Sequence, residues 1–123
     1  MSRRLILIVE DEETTREVLA QALETFGYKT IIADNGKDAL NLFNAHRPDM
    51  IISDIYMPVM NGLELLKAVR RTDKTLPFIL ITGFDIQEAH ETAHSHGATA
   101  LLLKPFRLQQ LRDILDRTFN SSV

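Results

Sequence analysis

The sequence predicts an α/β fold, a (βα)5 doubly wound parallel five-stranded sheet, in one domain spanning residues 1–123. Three observations predict it. Five short runs are apolar on consecutive positions and rich in β-branched residues, as strands covered on both faces are. Between them, apolar residues recur at helical spacing, with one stripe per segment. The five Gly and four Pro stand singly between these segments, with no repeat, low-complexity tract or charge block.

The first strand is Leu5 to Val9, and the helix after it carries Val18, Leu19, Ala22, Leu23 and Phe26 as its inward stripe. Thr14 with Glu17 can form its capping box, and Gly27 suits the left-handed residue that follows a helix. Thr30 to Ala33 is the second strand; Asn35 suits the cap of the next helix, which turns Ala39, Leu40 and Phe43 inward. Met50 to Ser53 precedes a helix with Leu65, Leu66 and Val69. Phe78 to Ile81 precedes one capped by Asp85, with Ile86, Ala89 and Ala93 inward and Gly97 at its end. Ala100 to Leu103 leads to Leu108, Leu111 and Leu115. Right-handed crossovers place helices on both faces of the sheet, and in such folds the reactive crevice lies beyond the C-terminal strand ends.

Composition narrows the function classes. The length of 123 residues suits one compact unit without an output domain. Fourteen Lys and Arg against 17 Asp and Glu give a net charge of −3, which lacks the basic excess of a direct nucleic-acid binder. With 45% hydrophobic and 25% charged residues the chain reads as an ordered soluble domain. The absence of cysteine excludes disulfides, thiolate metal sites and thiol nucleophiles, and fits a reducing, cytoplasmic setting. The apolar run at Leu5 to Val9 is too short for a signal-peptide core or a membrane span, so no membrane insertion is expected.

The predicted strand ends carry the chemistry. Glu10 and Asp11 follow the first strand, Asp54 the third, Thr82 the fourth and Lys104-Pro105 the fifth. Three carboxylates in one crevice repel, and a hard dication relieves that repulsion. Oxygen-only ligands favour Mg²⁺, or Mn²⁺, over zinc. A metal and an ammonium together suit phosphoryl transfer, because they neutralise charge on the equatorial oxygens while a carboxylate attacks in line. Asp54 is the expected acceptor.

Here the sequence resembles the receiver domain of two-component response regulators. The matching pieces are Val9-Glu10-Asp11, the stretch from Asp54 to Gly62 (DIYMPVMNG), Thr82-Gly83, Gly97-Ala98 and Lys104-Pro105-Phe106, in the family's order and spacing. The resemblance implies a flavodoxin-like strand order 2-1-3-4-5 and transfer of a phosphoryl group to Asp54 from a sensor histidine kinase or a histidine phosphotransfer protein. It further implies that Asp11 ligates Mg²⁺ directly and Glu10 through water, with Asp54 and the backbone carbonyl of Tyr56 completing the protein's share. Thr82 would bond the phosphoryl group, and Lys104 would pair with Asp54 and then with a phosphoryl oxygen, aimed by a cis Lys104–Pro105 bond. A downstream protein would read the phosphorylated state, and the domain would catalyse only its own phosphorylation and slow dephosphorylation.

Two positions depart from the family pattern. Leu101 stands where many receivers carry the Tyr or Phe of the conformational switch. Tyr56 and Phe84 stand two residues after the acceptor and after Thr82, flanking the route by which water would reach a phospho-aspartate. Other classes explain less. A pseudo-receiver that binds partners without phosphorylation has no need of every acidic, hydroxyl and lysine position. An aspartate-nucleophile phosphatase usually has a second acid where Tyr56 stands. His90-Glu91-Thr92-Ala93-His94 matches the HExxH zinc-protease pattern, yet the expected third-ligand position is Ala100, and no Glu follows His94. A solvated helix face is the expectation there, as it is for Arg70, Arg71, Lys74, Arg107, Arg112 and Arg117. Phe106 and Phe119 are expected in the core.

Overall fold

The computed structural model describes residues 3–83 and 87–120, the side chain of residue 88 apart. Strands and helices alternate as β1 (Leu5–Val9), α1 (Glu13–Thr25), β2 (Lys29–Ala33), α2 (Gly36–His46), β3 (Met50–Asp54), α3 (Gly62–Arg70), β4 (Phe78–Thr82), α4 (Gln87–Ser95), β5 (Ala100–Leu103) and α5 (Leu108–Asn120). The sheet is parallel, in the order β2-β1-β3-β4-β5. Both the (βα)5 architecture and the strand order expected from the sequence are therefore borne out.

Alternate side chains of each central strand feed two separate cores, because successive residues of a strand point to opposite faces. Leu7, Val9, Ile51, Phe78 and Leu80 pack with Ala39 and Phe43 of α2, Leu65, Leu66 and Val69 of α3, and Ala93 of α4. Ile6, Ile8, Ile52, Ile79 and Ile81 pack with Leu19 and Leu23 of α1 and Leu111, Ile114 and Leu115 of α5. Each fully buried aliphatic side chain contributes about 1.5–3 kcal/mol, so the two cores hold the strand ends in fixed register. That register sets Asp54 beside Ile81 and Thr82 beside Leu103.

Several local expectations need correction. Helix α1 is capped by Glu12, not by Thr14: the Glu12 carboxylate accepts from the Thr15 N–H at 3.2 Å and from the Thr15 hydroxyl at 3.0 Å. Thr14 lies inside the first turn. Val18 and Leu108 are half exposed, because the inward stripes are carried by Leu19, Ala22 and Leu23, and by Leu111, Ile114 and Leu115. Ile32 is also exposed, since β2 is an edge strand that lacks full cover on both faces. Arg70 is not on a solvated face: its guanidinium donates twice to the Gly97 carbonyl, at 2.8 and 3.2 Å, and once to that of Asp73. Arg112 is exposed as expected, with its guanidinium over the Phe26 ring. Phe106 and Phe119 pack, partly buried, against the α1/α5 core. Asn35 caps α2 as expected, and Gly27 and Gly97 adopt φ of 100° and 86°. The expected Asp85 cap and the inward Ile86 lie outside the described residues.

Candidate acidic and phosphoryl-transfer site

The chain leaves β1 at Glu10, whose N–H extends the sheet to the Ala33 carbonyl at 3.1 Å. This continuation buries the side chain almost completely, at 1% exposure. A buried carboxylate needs partners, and Glu10 has two: Oε1 accepts from Lys104 Nζ at 2.9 Å, and Oε2 from the Glu12 N–H at 3.2 Å. Burial pushes the Glu10 pKa up, and the nearby Asp54 charge adds to that, against the opposing pull of its bonds to Lys104 and Glu12.

Asp54 ends β3 and is also nearly buried. Its Oδ2 accepts from Lys104 Nζ at 2.7 Å, and its Oδ1 from the Tyr56 N–H at 3.1 Å. Asp11 is exposed beside them, and oxygens of Glu10, Asp11 and Asp54 lie within 4.8 Å of one another. Thr82, fully buried, is the last residue of β4, and its carbonyl accepts the Lys104 N–H at 2.8 Å. The Lys104–Pro105 peptide bond is cis. Burial alone would lower the Lys104 pKa; the hydrogen bonds and charges of Asp54 and Glu10 outweigh it and raise the value.

The loop after Asp54 is fixed by its contacts with α2 and α3. Asn61 and Glu64 form a reciprocal capping box at 2.8 and 3.0 Å, and the Gly62 N–H donates to the Ile55 carbonyl at 2.8 Å. A Cβ on Gly62 would collide with the Asp54 carbonyl, so only glycine allows the start of α3 to sit this close to Asp54. Within the loop Val59 holds φ at 70°, a strained value for a β-branched residue, and is 77% exposed. Tyr56 is exposed as well, while Leu101 packs, partly buried, against the core on the α2–α4 side. Phe84 lies outside the described residues.

Among the described residues, the one group of three or more metal-capable side chains is Glu10, Asp11 and Asp54. Its oxygen-only donors and the exposed Asp11 side fit a hard divalent ion such as Mg²⁺ that keeps several waters. His90 and His94 are both exposed on α4, and Glu91, the base a zinc protease would need, accepts a hydrogen bond from Gln87. Sequence reasoning missed Arg16, and it named Gly62 only as the end of a motif, without the close approach to Asp54 that requires it. Arg16 donates to the Glu10 carbonyl at 3.0 Å and approaches that of Asp11 at 3.5 Å. Its one signal in the sequence is a cation near the start of a helix, where the helix dipole disfavours positive charge.

A family model described as the response regulator receiver domain matches residues 6–116. The chain belongs to the response regulator receiver family. As a receiver it is 39% identical over 112 residues to the regulatory protein AtoC of Escherichia coli, covering 91% of this chain and 24% of that protein. It is 36% identical over 117 residues to the response regulator MprA of Mycolicibacterium vanbaalenii, covering 92% of this chain and 51% of that one. The receiver thus spans about a quarter and about half of these two relatives. Among solved structures it resembles the Vibrio cholerae chemotaxis protein CheY4, with a TM-score of 0.90, 34% identity and coverage of 96% and 100%. It also resembles the receiver domain of a Pseudomonas aeruginosa sensor histidine kinase, described with a magnesium ion coordinated in its active site cleft. For that pair the TM-score is 0.88, the identity 27% and the coverage 97% and 99%.

Proposed function

We propose that this receiver accepts a phosphoryl group on Asp54 from a phosphohistidine, in a reaction that requires Mg²⁺, with Mn²⁺ able to substitute. The observation that carries the reading is the Lys104 ammonium, 2.7 Å from Asp54 Oδ2 and 2.9 Å from Glu10 Oε1. One cation between two nearly buried acids marks a place where negative charge is gathered and managed. Glu10, Asp11, Asp54 and the Tyr56 carbonyl would hold the metal. When bound, the ion neutralises charge on the phosphoryl oxygens.

The residues of the chain do the rest. The Tyr56 N–H and the Lys104 ammonium fix the Asp54 carboxylate in one orientation, which raises the fraction of encounters with correct in-line geometry. An Asp54 oxygen attacks phosphorus as the nitrogen–phosphorus bond of the phosphohistidine breaks, and the imidazole leaves and takes a proton. Lys104 then pairs with a phosphoryl oxygen in place of the carboxylate, and the Thr82 hydroxyl bonds another. Tyr56, two residues after the acceptor, and Phe84, two residues after Thr82 in the sequence, are the aromatic positions that would slow hydrolysis. Leu101, lacking a ring, leaves the output surface to respond less than, or differently from, that of receivers with an aromatic residue there.

The donor is a sensor histidine kinase or a histidine phosphotransfer protein in the cytoplasm. The output is altered affinity for a downstream protein, or onward relay to another histidine. The test is incubation with acetyl phosphate and Mg²⁺, followed by intact-mass measurement. One added phosphoryl group is expected, abolished by chelator and by Asp54→Asn. Equal labelling of Asp54→Asn would place the chemistry elsewhere, and absence of labelling in the wild type would favour a partner-binding domain that works without phosphorylation.

A further inference from the structure

Arg16 sits in the first turn of α1, four residues after the capping Glu12. A cation there opposes the helix dipole, which favours acids at an N-terminus. Helix stability therefore does not explain its presence. The side chain is half-buried and turns back across the helix start, donating from Nη1 to the Glu10 carbonyl at 3.0 Å and reaching the Asp11 carbonyl at 3.5 Å. These carbonyls belong to two of the three residues whose carboxylates converge.

Glu10 and Asp11 are held unequally. The Glu10 peptide is tied to β2 through its N–H, and its carboxylate is tied to Lys104 and to the Glu12 N–H. Asp11 is exposed, beyond the last residue of β1. A guanidinium bridging the two successive carbonyls fixes the orientation of both peptides, and with it the direction in which each Cα–Cβ bond leaves the chain. Both contacts come from one nitrogen, Nη1, held at the end of a long arm by the rigid plane of the guanidinium, whereas a lysine ends in a shorter arm with a freely rotating ammonium.

We infer that Arg16 is a positioning residue for the acid cluster: by clasping the Glu10 and Asp11 carbonyls it pre-sets the Asp11 carboxylate for a divalent ion. This rests on the magnesium reading above. It competes with a purely electrostatic role, which predicts the opposite sign. A cation near the site repels a dication, so on charge alone its removal tightens metal binding. On positioning, its removal weakens binding, because the outer residues that orient metal ligands typically matter by 10- to 100-fold.

The experiment is Mg²⁺ titration of the wild-type protein, Arg16→Ala and Arg16→Lys by calorimetry, with thermal melting of each in chelator. Arg16→Ala is expected to bind Mg²⁺ about tenfold more weakly. Arg16→Lys, which keeps the charge but has a shorter arm and no rigid plane, is expected to fall between it and the wild type, with metal-free melting of the Lys variant unchanged. Unchanged or tighter binding by Arg16→Ala overturns the inference, and so does wild-type affinity in Arg16→Lys, which serves alone if the Ala variant fails to fold. If the wild type binds and the variants match it, the inference alone fails; if the wild type takes up no Mg²⁺, the magnesium reading fails and this inference with it.

Discussion

Lys104 Nζ and Asp54 Oδ2 lie 2.7 Å apart although 50 positions separate the two residues in sequence. The same nitrogen reaches Glu10 Oε1 at 2.9 Å, so removing it takes the counter-charge from two acids at once and leaves each with one backbone N–H. Lys104→Ala should destabilise the protein by about 1–3 kcal/mol at neutral pH, the usual range for a buried group deprived of its partner. The sign of the pH dependence follows from the raised Lys104 pKa. Its contribution is fully present below the ordinary value of 10.5 and is lost as pH rises through the higher folded value. Urea unfolding from neutral to alkaline pH should therefore show a falling limb in the wild type that the variant lacks. Parallel curves would mean that the ion pair adds nothing to stability.

Asp11→Ala acts in the opposite direction. It removes one of three clustered carboxylates and leaves the two that Lys104 bridges. The metal-free protein should gain on the order of 1 kcal/mol while losing Mg²⁺-dependent labelling. A melting temperature in chelator well below that of the wild type would contradict the repulsion argument.

Gly62→Ala tests the close approach of α3 to the acceptor. The new methyl group must push against the main-chain carbonyl of Asp54, which cannot swing aside as a side chain would. A cost of about 1–3 kcal/mol is expected from overpacking, with slower labelling of Asp54 in the fraction that folds. Melting and labelling rates that both match the wild type would show that the loop adapts freely.

The lifetime of the phosphorylated state should depend on Tyr56 and Phe84. Replacing Tyr56 with Asn and Phe84 with Glu should speed loss of phosphate by roughly one to two decades, or about 1.4–2.8 kcal/mol in the barrier. Decay is followed after donor removal at constant Mg²⁺, and equal rates in the double variant and the wild type would mean that water arrives by another path.

Much of this was legible in the sequence because it rests on periodicity and on position. Consecutive apolar residues at Met50 to Ser53 and Phe78 to Ile81 signal strands covered on both faces, and the acids, hydroxyl and lysine follow directly from where those strands end. What periodicity does not encode is which strand lies at an edge, and so Ile32 reads as buried when it is exposed. Capping is a contest among neighbouring oxygens, and Glu12 prevails over Thr14 through its longer reach to the Thr15 N–H and hydroxyl. Arg16 and Arg70 were illegible for a different reason. Each acts on main-chain carbonyls, at Glu10 and at Gly97, and every residue type supplies a carbonyl, so no partner stands out in the sequence.

The order of the sheet gives the Lys104 bridge a further consequence. Strands β1 and β5 share no ladder, being separated by β3 and β4. Yet Glu10 and Lys104, 94 positions apart, are joined across the top of the sheet. The bridge acts as a tie-bar between the opening and closing strands of the chain. A fragment that ends before β5 would retain all three acids and lose the cation that holds two of them together. The arrangement of acids and cation therefore belongs to no segment that could be transplanted by itself, and it is complete only when the last strand docks.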